Sequence, residues 1–234
     1  MREQRGRLVA GVLMVLGALV GSGSVWLHWR TCTGPQVAED DAGVAADGGP
    51  VFGDACLRAM DNGFSFLWPD GKDPFRAESV FGLVFALLLG LSWAVVVATS
   101  RWTGATRWVT ALPLVLVLAV VVLDVLPRSD ALDSAFAHVL LATSLGVLLA
   151  LIVLVQGLDD GWAMLEVALA LCGPAAVGFF ANWADYAFMT AVSEASWDTP
   201  PWTGAPTLVL TALAGVALVV VARRRRSPRA DATA

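Results

Sequence analysis

Five side chains of this sequence could act in concert: His28, Asp124, His138, Asn182 and Asp185. Each stands near one end of a long apolar run. Two imidazoles and two carboxylates in one layer are a donor set for a divalent metal such as zinc. The same groups could relay protons, since histidine changes charge near neutral pH. The alternative is that polar residues at helix ends simply rest among lipid headgroups, and depth alone explains much of their clustering.

Helical periodicity bears on which way these groups face. At about 100° per residue, a step of seven or eleven residues returns to nearly the same direction. His28 lies seven after Gly21, Asp124 eleven after Pro113, and Asp185 seven after Gly178 and eleven after Pro174. His138 lies four before Ala142. All four are therefore expected on tight, inward faces. His28, His138, Asp124 and Asp185 are the metal-ligand candidates, the identity of any metal being open.

Glu166 is a separate candidate, an intramembrane acid for proton binding or coupling. Its plain alternative is a first-turn acid favoured by the helix dipole. Gly173-Pro174 is expected to bend the same helix, and broken helices often mark transport sites. Cys32 and Cys56 are expected to pair as a disulfide on the oxidising side of a membrane. Cys172 falls mid-membrane as a small packing residue.

The motifs of common chemistries are missing. There is no C-x-x-C, no phosphate loop, no G-x-S-x-G elbow and no H-E-x-x-H in the chain. No catalytic residue and no cofactor is assigned from the sequence, and the enzyme reading is the weaker one.

The elements that must position these groups follow from composition. Hydrophobic residues make up 57% of the 234, charged residues 15%, and mean hydropathy is +0.71. Soluble domains run about 45–50% apolar and about 25% charged, so this chain cannot cover itself with polar surface in water. The expected fold is all-α, a polytopic transmembrane bundle of six spans. These are residues 8–29, 79–99, 108–126, 135–156, 162–183 and 206–222, each near the roughly 20 residues a bilayer needs. The basic start followed by an apolar run could be a signal peptide, but no small-residue cleavage site follows. An uncleaved first helix is expected.

Orientation comes from the basic residues. Arg2, Arg5, Arg7, Arg101, Arg107, Arg223 to Arg226 and Arg229 share one side; Arg30, Arg58, Lys72, Arg76 and Arg128 share the other. Both termini are therefore expected in the cytoplasm of a bacterium, with the chain in its inner membrane. The chain then divides into an N-tail and first span (1–29), an outer acidic loop (30–78), spans two to six (79–222) and a basic cytoplasmic tail (223–234). The outer loop holds nine of the twenty acidic residues. Its second half turns aromatic at Phe64, Phe66, Trp68 and Phe75, and should lie on the membrane or cap the bundle.

Small residues recur four apart in the spans, as in Gly82, Ala86, Gly90 and Ala94, and allow close helix contact within lipid. Most tryptophans, Trp26 and Trp29 among them, fall at expected interfaces as anchors. The bilayer is thus the first partner, with a membrane protein or a second copy as the next, and no nucleic acid. Three functions are carried forward. The first is an accessory or assembly subunit acting through a partner. The second is a small-solute or ion transporter or channel using the outer polar layer, and the third an intramembrane metal-binding enzyme.

Overall fold

A computed structural model describes residues 2–33, 52–62, 64–67, 77–126, 129–158, 160–192 and 199–224, all helix or short connection with no strand among them. Most of the acidic loop lies outside the described residues, with Trp68, Lys72, Phe75 and Arg76. So do Pro127, Arg128, Asp159, Trp197 and the tail from residue 225. Eight α-helices follow in order: α1 (Arg2–Trp29), α2 (Asp54–Asn62), α3 (Ala77–Thr99), α4 (Gly104–Asp124), α5 (Asp130–Gly157), α6 (Gly161–Val177), α7 (Phe179–Val192) and α8 (Ala205–Arg224). A turn of 3-10 helix, Arg30–Cys32, closes α1.

Five helices (α1, α3, α4, α5 and α8) are long and apolar enough to cross a membrane. The pair α6 and α7 makes a sixth if it counts as one broken span. The chain is a multi-pass membrane protein by this measure.

Small residues set the closest contacts, as expected where lipid offers no hydrophobic driving force between helices. A Cβ built on Gly11 would lie 2.7 Å from the Gly215 carbonyl oxygen, and one on Gly215 would lie 2.8 Å from that of Gly11. α1 and α8 thus touch backbone to backbone. Gly21 meets Leu208 further along, and the Trp29 indole donates to the Thr203 carbonyl at 2.9 Å. The two helices therefore run antiparallel, and the start of α1 lies at the same end of the bundle as the finish of α8.

The opposite end carries the disulfide. Cys32 and Cys56 are bonded, with Cα atoms 4.8 Å apart, which ties α2 to the end of α1. The segment after α2 caps this end: Phe66 and Leu67 are buried, and the Phe66 ring packs on Phe85 at 4.4 Å. Gly82 makes the cap possible, since a Cβ there would fall 1.9 Å from the Phe66 carbonyl oxygen.

The expected fifth span, one helix over 162–183, is corrected. α6 ends at Val177, and α7 departs from it at 79°. The break falls at Gly178 and not at Gly173-Pro174, which lies inside α6. Gly173 packs closely on α3 instead, where an added Cβ would lie 3.0 Å from Ser92 Oγ. Pro174 removes one helical hydrogen bond without ending the helix. At Gly178 a Cβ would lie 2.4 Å from Ser144 Oγ of α5, and that hydroxyl accepts the Phe180 N–H at 3.1 Å. A side chain of α5 therefore starts α7.

Trp29 is also corrected. It is fully buried and hydrogen-bonded within the bundle, not a membrane anchor. Trp93 is likewise buried, its indole donating to the Thr110 carbonyl at 2.7 Å. That carbonyl stands next to the one that Pro113 leaves without its helical donor. Trp26, Trp108, Trp162 and Trp183 remain exposed, as anchors should be.

Candidate functional site

The polar layer at the disulfide end separates into individual bonds. Asp185 on α7 is buried, and its Oδ1 accepts the Thr207 N–H at 3.2 Å. The Gly204 N–H and the Thr207 hydroxyl also approach the carboxylate. Thr207 belongs to the first turn of α8, so Asp185 supplies from another helix what an N-cap residue supplies from its own. Its negative charge suits the positive end of the α8 dipole.

His28 is half-buried, and its Nε2 lies 3.1 Å from the Ala59 carbonyl of α2. Its ring stands edge-on to Trp29 and Phe64. The imidazole therefore joins α1 to the disulfide-held cap. Asn182 donates to the Gly178 carbonyl at 3.0 Å and holds the first turn of α7. Asp124 is buried at the end of α4.

His138 corrects the expectation of an inward face. It is exposed, with Nδ1 2.6 Å from the Ser134 carbonyl one turn earlier. α5 buries the stripe Phe136, Leu140, Thr143, Val147, Ala150 and Leu154 instead, and His138 lies off that stripe. Shared depth did not become shared position. Among the described residues no three His, Cys, Asp or Glu side chains are grouped to hold a metal.

Glu166 is the residue that the structure places most unexpectedly. It is fully buried near the start of α6 and forms an ion pair with Arg7 of α1. A charge at membrane depth is tolerated when it faces the bundle and finds a partner, and this pair meets both conditions. The sequence held a signal for it. Arg7, Met14, Gly21 and His28 follow one another at steps of seven, so Arg7 lies on the face that was assigned inward from Gly21.

Cys172 is corrected as well: it is exposed on α6 and is the one cysteine of three outside the disulfide. It borders a groove of about 770 Å³ between α6, α7 and α8. Ala175, Ala181 and Ala184 make its walls shallow, and Asp185 and Trp202 stand in its lining. Trp202 holds φ at 68° and packs against Trp26 at 6.0 Å.

The chain matches no family model, no characterised protein and no solved structure. Function must be argued from these contacts alone.

The two caps borrowed from other helices lead to a direct expectation. Ser144→Ala and Asp185→Ala should each lower stability by about 1 kcal/mol, the usual cost of losing an N-cap. Asp185→Ala should cost the more, because a charge facing a helix dipole is lost with it. Thermal unfolding in detergent would measure both, and an unchanged midpoint for Asp185→Ala would mean that α8 begins without its help.

Proposed function

We propose that this protein is an accessory or assembly subunit of a membrane complex, acting through a partner seated in the groove between α6, α7 and α8. The groove carries the reading. It lies on the outside of the bundle, is almost wholly apolar, and is walled by the small residues through which membrane helices approach each other. The bend at Gly178 creates it, because a straight helix would have continued along the bundle and left no recess. Three side chains of the polar layer hold elements: His28 to α2, Asn182 to its own first turn, Asp185 to α8.

We place the protein in a bacterial inner membrane with both termini in the cytoplasm and residues 30–78 outside. The excess of arginine on the side of the termini supports this orientation. No catalytic role and no cofactor enters the reading.

Cys172 offers the test, since it is the single free thiol and borders the groove. A maleimide-linked benzophenone attached there and photolysed in native membranes should give one discrete heteromeric product. Native mass spectrometry of gently purified protein should show the same partner in fixed stoichiometry. A monomer or a homo-oligomer in both measurements would overturn the proposal.

The broken span favours a second reading, a transporter or channel, because discontinuous helices often form substrate sites. Flux into proteoliposomes that is lost in Asp185→Asn would support it. Equal flux in both proteins would sink it. The metal-enzyme reading has no such support, as no three of its four side chains are grouped among the described residues.

A further inference from the structure

The first turns of α1 carry three arginines in two different surroundings. Arg7 turns inward to Glu166. Arg2 and Arg5 are exposed and line a cleft of about 480 Å³ between α1 and α3, at the end of the bundle where α1 starts and α8 finishes. Glu3, the acid between them in sequence, accepts the Arg101 N–H at 3.0 Å and is not among the cleft's lining residues.

The cleft has a built order. Its α1 side is Arg2, Arg5, Gly6 and Val9, a spacing of three, four and seven residues that defines one helix face. Its α3 side is Val95 and Thr99. Gly6 makes the floor: a Cβ there would lie 2.0 Å from Thr99 Oγ1, so the two helices close together behind the cleft. Moving along α1 from its start, two guanidinium groups come first and a valine wall follows. Val9 is 47% exposed.

We propose that this cleft binds one anionic phospholipid, with its phosphate between Arg2 and Arg5 and an acyl chain along Val9 and Val95. Guanidinium groups grip phosphate oxygens through two parallel hydrogen bonds. No carboxylate lines the cleft to compete for them. The sequence of cation and then apolar wall matches the sequence of headgroup and then chain in a lipid. A free anion would use only the upper half.

The test is native mass spectrometry of the full chain released from nanodiscs of phosphatidylglycerol or of phosphatidylcholine. Each basic side chain near an anionic surface is worth about fivefold in affinity, so phosphatidylglycerol should be retained at least about tenfold better. Arg2→Gln with Arg5→Gln should abolish that preference. Arg223→Gln with Arg224→Gln, at the same end but outside the cleft, should leave it intact. Val9→Trp keeps both charges and fills the wall, and should also release the lipid. Equal retention of the two lipids would overturn the proposal, as would persistence of the preference in Arg2→Gln with Arg5→Gln or in Val9→Trp. Its loss in the Arg223 and Arg224 control would reduce the effect to general charge. Release by excess inorganic phosphate would mark the cleft as a free-anion site and overturn the lipid assignment.

Discussion

Glu166→Gln should destabilise this protein by about 3–5 kcal/mol, the cost of leaving one partner of a buried ion pair uncompensated. The variant keeps the shape of the side chain and removes only its charge, so packing cannot account for the loss. Arg7, buried on α1, would then face the bundle interior without its carboxylate. Arg7→Met should be the milder change. A carboxylate left alone can take up a proton and become neutral, whereas a guanidinium cannot shed its charge. Replacing both residues by Met should recover most of the stability, because a buried pair and an apolar pair of similar volume are often equivalent. Thermal unfolding of the parent, Glu166→Met, Arg7→Met and the double Met variant in one detergent gives the full cycle. Additive losses in the double variant would mean that the two side chains are not coupled, contrary to the geometry.

Removing the disulfide should be the second large effect. Cys32 and Cys56 are 24 residues apart, and closing a loop of that size restricts the unfolded chain by about 3–4 kcal/mol in the entropy model. The folded consequence should be local. α2 rests on the bundle through buried Cys56 and Met60 and through the Ala59 carbonyl that meets His28. In Cys32→Ser with Cys56→Ser, hydrogen exchange should accelerate over residues 54–62 first and leave α3 and α5 protected. Unchanged protection of α2 would show that its apolar contacts hold it without the bond.

Much of the architecture was legible because lipid imposes simple rules. Length and hydropathy located α1, α3, α4, α5 and α8, with ends off by at most six residues. The small-residue ridge on α3 became real contacts, Gly82 against Phe66 and Gly90 against Val117. The cysteine pairing followed from the shared loop. What could not be read was anything that depends on the angle between two helices. Gly178 breaks its helix because Ser144 of α5 stands beside it, and no local pattern records that neighbour. Gly173-Pro174 carries the usual breaking signal, yet it is held straight by packing on α3. The face of His138 was missed for a related reason. Periodicity orders residues around one helix but says nothing of the rotation of that helix in the bundle, so His138 came out exposed. Arg7 was hidden by its context among other basic residues, where it read as a topology signal.

The contact between α1 and α8 has a consequence for biosynthesis. The Trp29 indole waits for a carbonyl 174 residues further along the chain, and Gly11 faces Gly215 across bare backbone. A ribosome delivers α1 to the membrane well before α8. Throughout that interval α1 holds an open glycine seam and an unmet indole. The seam on α1 is therefore closed only when α8 arrives, and a nascent chain released short of α8 would present to the insertion machinery the surfaces that mark an unfinished protein.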